Sequence, residues 1–281
     1  MNEFSLQKYL EIFGISAASG LEYIDGELYL ISDNSNYLYE YQISKAQLTK
    51  HPLLQRLQME QIEKSEKMDL EAILYKDEKL FVFGSGSTPR RELGFSFSIS
   101  DGLINTLDLS KLYQSMRKSA NIDFADFNIE GVAIFGENWL FLNRGNGPGE
   151  RNVIFYIRGI NLVEDFQITS HDINLPHING LSFGFSGATV IHNTLFFIAT
   201  AEEGKSTYDD GKIGGTIFGI INLKTLKIYS VQNISQSHKF EGISLYEVQA
   251  DKISFLLCED NDGISNVASI FKLEITSPLC D

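Results

Sequence analysis

Cysteine is almost missing from this chain. The 281 residues hold two, Cys258 and Cys280, too few for a disulfide framework and in keeping with a reducing compartment. Basic residues are also scarce, 23 Lys and Arg against 37 Asp and Glu, for a formal charge of −14. That balance excludes nucleic acid and anionic membrane surfaces as expected partners, because binding either begins with a basic patch that neutralises phosphates. No stretch approaches the ~18 to 20 consecutive apolar residues of a membrane-spanning helix. The opening MNEFSLQKYLEIFG lacks a basic segment followed by an apolar run, so a cytoplasmic location is expected. The five histidines, His51, His171, His177, His192 and His238, have no zinc-ligand spacing. A G-x-S-x-G nucleophile elbow is absent, and GSGS at Gly84 to Ser87 is only a distant echo of one.

What is present is a globular composition, 43% hydrophobic and 21% charged, and a repeat. The stretch NIEGVAIFGENWLFLNRGN, Asn128 to Asn146, places two apolar strands around a short turn and closes on a polar, Gly-rich run. Aligned on Glu130, further copies begin at Ser19, Glu71, Ser186 and Glu241, at spacings of 52, 59, 56 and 55 residues. The period is too long for a helical repeat and fits about five times into the chain. Each copy continues into two more alternating segments, except the fifth, which lacks its fourth strand. Residues Ser5 to Ile15 supply a strand with no hairpin partner beside it. These observations predict an all-β fold over residues 1–281 as a single domain: a five-bladed β-propeller of four-stranded antiparallel blades, the N-terminal strand closing the last blade. The alternative is a six-bladed ring with a degenerate blade in Ser98 to Asn128 or in Asn161 to Gly187. Leu54 to Met68 reads as an irregular or helical connection, and Ser110 to Ser119 as a short helix.

In such a ring the first strand of each blade lines the central channel. Its starting residue then shares one face of the disc with the loop between strands two and three. The turns on the opposite face are tight: Asp25-Gly26, Asp77-Glu78, Gly136-Glu137 and His192-Asn193. The loops on the first face are long and polar: SDNSN, GSGSTPRRE, RGNGPGER, AEEGKSTYDDGKIGG and EDNDGIS. A scaffold that needed only to reverse its strands would use tight turns on both sides, so this face is the candidate site.

Glu71, Glu130 and Glu241 begin three innermost strands, and the ring's symmetry gathers them at one mouth of the channel. Three carboxylates at close range either rise in pKa or are neutralised by a cation. Oxygen-only ligands favour a hard ion, Ca²⁺ or Mg²⁺. Asp33, Asn143, Asp260 and Asp262 could complete its shell, with Asp33 and Asp260 the nearest metal candidates. The competing reading has each Glu accept backbone N–H bonds from the neighbouring blade and serve only the ring. Arg90, Arg91, Arg144, Arg151 and Lys239 lie on or beside the same face. With Ser85, Ser87 and the Gly-rich loops they could hold a phosphate or carboxylate, or they pair with the glutamates instead. TYDDG at Thr207 to Gly211 offers two more carboxylates, as a lid, a ligand donor or a plain turn. Trp139 and the Phe and Tyr residues fall on strands and read as core.

The strand openings DLEAI, NIEGVAI and KFEGISL, with strand ends LISDN and LCEDND, resemble the phytase-like ("esterase-like activity of phytase") β-propellers of bacteria. More distantly the chain is similar to gluconolactonase and strictosidine-synthase propellers. The resemblance covers most of the chain. It implies Glu71, Glu130 and Glu241 as channel carboxylates and Arg90, Arg91 and Arg144 as anion contacts, and it departs from the family pattern at Ser19 and Ser186. Two functions are expected: metal-assisted hydrolysis of a small ester, lactone or phosphoester, or non-catalytic binding of a small anionic or ester ligand or a partner. The residues leave the oligomeric state open.

Overall fold

The computed structural model describes residues 4–54, 59–159, 161–178, 180–202, 213–261 and 265–276. The TYDDG segment, Asp262 and Cys280 lie outside them.

Twenty strands form five four-stranded antiparallel sheets. Strand β1 (Phe4–Phe13) is followed by the first blade, β2 (Ala18–Ile24), β3 (Glu27–Ser32), β4 (Tyr37–Gln42) and β5 (Gln47–Pro52). The second comprises β6 (Leu70–Lys76), β7 (Lys79–Gly84), β8 (Leu93–Ser98) and β9 (Ile104–Asp108). Helix α1 (Ser110–Ala120) leads to the third, β10 (Ile129–Phe135), β11 (Asn138–Asn143), β12 (Val153–Gly159) and β13 (Phe166–Asp172). The fourth comprises β14 (Gly184–Ile191), β15 (Thr194–Glu202), β16 (Ile213–Asn222) and β17 (Lys227–Ser235). The fifth has three strands of its own, β18 (Phe240–Val248), β19 (Lys252–Glu259) and β20 (Val267–Thr276). Its fourth position is filled by β1, in register from Phe4 opposite Ile275 to Phe13 opposite Val267. The fold is therefore the five-bladed propeller expected. The six-bladed alternative fails because Ser98 to Asn128 folds into β9 and α1, and Asn161 to Gly187 holds β13 of the third blade.

Burial explains why the second strands read as nearly unbroken apolar runs. Successive strand side chains face opposite ways, and in a ring each face abuts a different neighbour. In β3, Leu28 and Leu30 enter the core against the fifth blade while Tyr29 and Ile31 enter the core against the second. In β11, Trp139 and Phe141 face the second blade and Leu140 and Leu142 the fourth. Five such cores fill the five blade interfaces. Each fully buried Leu, Ile or Phe contributes about 1.5–3 kcal/mol. Cys258 is one of these buried residues, packed between the fifth and first blades.

Helix α1 presents Leu112, Tyr113, Met116 and Ala120 to the core between blades two and three. These positions fall at the three- and four-residue spacing of one helix face. Tyr113 Oη donates to the Gly84 carbonyl at 2.7 Å, fixing the helix over the polar face. Among the described residues, no helix is long and apolar enough to cross a membrane. On the opposite face the tight turns use left-handed backbone. Asp25 and Gly26 have φ of 48° and 93°, and Asp77 and Glu78 of 50° and 59°, the signs that match the twist of a two-residue hairpin.

Candidate functional site

The five repeat positions share one backbone device. In every blade the register between the first and second strands slips by one residue, between Ala18 and Gly20, Leu70 and Ala72, Ile129 and Gly131, Phe185 and Gly187, and Phe240 and Gly242. The extra residue is Ser19, Glu71, Glu130, Ser186 or Glu241. A bulged residue is left out of the ladder and can be re-aimed. The residue after it is Gly or Ala because the inner strands crowd there. A Cβ on Gly242 would lie 2.8 Å from Gly20 Cα.

The side chains at the bulge then divide. Ser19 Oγ donates to the Leu70 carbonyl at 2.5 Å, and Ser186 Oγ to the Phe240 carbonyl at 2.8 Å. The serines thus staple a blade to its neighbour. The three glutamates converge instead: a carboxylate oxygen of each lies within 4.8 Å of the others. One level deeper, Leu21, Ile73, Val132, Ala188 and Ile243 line the same cavity, whose volume is about 20 Å³. That is room for a water or a bare ion, above an apolar floor.

A second tier surrounds the glutamates. In every blade but the fourth, strand two ends level with the residue two before the bulge. The amides of Asp33, Ser85, Arg144 and Asp260 donate to the carbonyls of Ala17, Asp69, Asn128 and Lys239. The side chains of this tier interlock. Arg144 Nη1 reaches Glu130 Oε1 at 3.2 Å and Glu241 Oε1 at 3.3 Å, joining blades three and five. Lys239 Nζ lies 3.0 Å from Glu241 and 2.8 Å from Asp260. Asn128 Nδ2 donates to Glu130 Oε1 at 2.7 Å. Lys67 contacts Asp33 and lies 2.8 Å from Asp69 Oδ1, while Arg91 Nη1 and Ser85 Oγ donate to Asp69 Oδ2 at 2.7 and 2.5 Å.

Six carboxylates, Asp33, Asp69, Glu71, Glu130, Glu241 and Asp260, therefore face four cations, Lys67, Arg91, Arg144 and Lys239. Glu71 belongs to two triads, with Glu130 and Glu241 and with Asp33 and Asp69. It is 8% exposed, and its Oε2 is buried with no hydrogen-bond partner among the described residues.

The electrostatics follow this wiring. Burial first, then the charges of Glu130, Asp69, Glu241 and Asp33, push Glu71 well above the usual carboxylate range. Glu241 is raised by burial and by Asp260 and Glu130, with Lys239 and Arg144 opposing. Asp33 is pushed up to about 6 by burial, against the Lys67 charge. Asp69 goes the other way: burial would raise it, but Lys67 and Arg91 hold it below the usual range. At the far end of the channel, Glu22 accepts hydrogen bonds from Ser244 Oγ at 2.9 Å and the Tyr75 amide at 3.2 Å. Burial nonetheless pushes it up to about 7.

The structure thus brings together Glu71, Glu130, Glu241, Asp33, Asp260, Arg91, Arg144 and Lys239. It separates three residues expected with them. Arg90 turns outward to pair with exposed Glu66, since its neighbour Arg91 takes the inward direction. Asn143 points away from Arg144: its Oδ1 accepts from the Asn128 amide and its Nδ2 donates to the Asp126 and Arg151 carbonyls, leaving it to order the loop. Arg151 pairs with Asp172 at the periphery. Sequence reasoning missed Asp69 and Lys67. Asp69 had a signal, because it stands two residues before Glu71 as Lys239 does before Glu241.

Residues 14–275 match a family described as "Family of unknown function (DUF6929)". The chain belongs to this family. No curated protein matches the sequence. Among solved structures the fold is similar to a luciferin-regenerating enzyme, at 8% identity and a TM-score of 0.54 over 99% of this chain and 96% of that one. It is also similar to the glutaminyl cyclase of Myxococcus xanthus (10%, 0.55, 97% of each chain). A third is the PQQ-bound aldose sugar dehydrogenase of Streptomyces coelicolor (11%, 0.55, 97% and 98%). At these identities the likeness is one of fold.

Proposed function

We propose that Glu71, Glu130 and Glu241 hold a hard divalent cation, Ca²⁺ or Mg²⁺, and that the protein uses it to hydrolyse a small ester, lactone or phosphoester at the mouth of the channel. The observation that carries this reading is the buried, unpartnered Oε2 of Glu71 beside two other carboxylates. An ionised group in that position is costly unless a charge or hydrogen bond meets it. The donor set, oxygen only and in excess of its protein cations, suits a hard ion. The resemblance of the strand openings to phytase-like propellers supports the same reading.

A divalent cation so bound supplies a Lewis acid and lowers the pKa of water. The chain's own residues divide the remaining work. Arg144 and Lys239 fix Glu130 and Glu241 in place. Glu71, which neither of them touches, is the carboxylate that would give up its proton as the cation binds. The cavity admits only a water or an ion, so an ester or anionic ligand would sit above it, toward the polar loops.

One observation favours a second reading, a propeller that binds such a ligand or a partner without chemistry. Lys67, Arg91, Arg144 and Lys239 are all engaged by carboxylates, which leaves fewer groups to stabilise a transition state. A panel of phosphoesters, esters and lactones assayed with Ca²⁺, Mg²⁺ or Mn²⁺ separates the two. Cation-dependent turnover that disappears in Glu71→Gln is expected. Cation binding with no turnover on any member would leave the second reading standing.

A further inference from the structure

The turns opposite the glutamates are tight, yet the second and third blades leave a cavity of about 750 Å³ beside two of them. Its floor is aromatic and aliphatic. Phe81 and Leu107 come from blade two, Trp139 and Leu162 from blade three, and Phe81 meets Trp139 edge-on at 5.0 Å and 81°. In the other four blades the position of Trp139 is held by Leu28, Leu80, Leu195 or Ile253. The single tryptophan of the chain thus stands where the ring otherwise uses an aliphatic residue.

Two cations stand over this floor. Lys76 Nζ is 5.9 Å from the Trp139 ring centre, and Arg158 lines the same cavity. Each has an acidic neighbour, Asp77 for Lys76 and Glu137 for Arg158 at 2.5 Å. Those acids sit on the turn tips and are 78% and 75% exposed, against 33% for Lys76 and 67% for Arg158. Ion pairs this exposed contribute about 0–1 kcal/mol, so either cation can turn to an incoming anion at little cost.

We infer that this groove binds a small amphipathic anion, with an aromatic or branched apolar body lying on Phe81, Leu107, Trp139 and Leu162 and an acidic head meeting Lys76 and Arg158. The volume falls in the ~300–1,000 Å³ range of small-molecule sites, which are apolar pockets with few convergent polar groups. The groove opens on the face opposite the glutamates, so it stands or falls independently of the cation site.

Trp139 emission reports on the groove directly, because no other tryptophan contributes. The full chain is titrated with naphthalene-2-sulfonate and with the neutral naphthalene-2-methanol. Saturable quenching by the sulfonate is expected, with the alcohol binding at least tenfold more weakly. The Lys76→Gln/Arg158→Gln variant should lose that preference while melting as the wild type does, both side chains being at the surface. Quenching that rises linearly without saturation, equal binding of sulfonate and alcohol, or an unchanged preference in the double variant would each overturn the inference.

Discussion

Blades one and four place a serine where blades two, three and five place a glutamate, on the same bulge of the same strand. The serines reach the neighbouring blade's carbonyl and close the ring. The glutamates gather over an apolar floor, and two of them, Glu130 and Glu241, are held there by Arg144 and Lys239. A shared backbone device therefore serves two ends. Where it serves the fold, a short neutral side chain suffices. Where it carries charge, the ring supports a buried cluster whose wiring leaves Glu71 outside the ion pairs. Glutamates that merely held the ring together would behave as the serines do.

The largest effect should come from removing the charge bridge. Arg144→Met strands Glu130 and Glu241 without that cation, and urea unfolding should show a loss of about 3–5 kcal/mol. Adding Glu241→Gln to it should recover part of the loss. A smaller cost is expected from the stapling side: Ser186→Ala leaves the Phe240 carbonyl without its donor, for about 1–2 kcal/mol, and any response to cations should be unaltered. A comparable loss from Glu71→Gln would erase the distinction between the two kinds of position.

Glu22 gives the smallest effect and a pH signature. In the fold its carboxyl keeps its proton up to about 7, against an ordinary value of 4.5. The folded state therefore binds more protons across that window, and its stability falls as pH rises from about 4.5 to 7. Glu22→Gln should remove that contribution: a shift of that size is worth ~3 kcal/mol unscreened, and because the side chain is only half-buried solvent screening cuts the variant's gain on the wild type between pH 5 and pH 8 to about 1 kcal/mol in parallel unfolding curves. Equal slopes for the two proteins would show that Glu22 is not the titrating group.

Much of this was legible in the sequence, for a physical reason. A bulge recurring at near-constant spacing puts its side chain in the same place in every blade, so Glu71, Glu130 and Glu241 could be grouped without coordinates. The same holds for the strand-two ends Asp33, Arg144 and Asp260. Local geometry limited the rest. Arg90 and Arg91 share one turn of 3-10 helix, Pro89–Arg91, where neighbours diverge by ~120°, and Asn143 and Arg144 sit at the end of β11; loop membership could not say which of each pair faces the cluster. Lys67 comes from a connection between blades one and two with no counterpart elsewhere, so no period pointed to it. The groove on the far face draws on two turns and strands of two blades, and its one distinctive residue, Trp139, reads as core from spacing alone.

The central claim is that the Glu71 carboxylate completes a cation site and is not a strut of the ring. Thermal unfolding with and without Ca²⁺ or Mg²⁺, on the wild type and on Glu71→Gln, tests it most directly. At a cation concentration of ~100 times Kd, binding adds about 2.7 kcal/mol, a rise in melting temperature of roughly 5 °C for a chain of this size. The account predicts that rise in the wild type and none in Glu71→Gln, which should otherwise be at least as stable. A wild type indifferent to both cations, or a variant that responds as the wild type does, would contradict it.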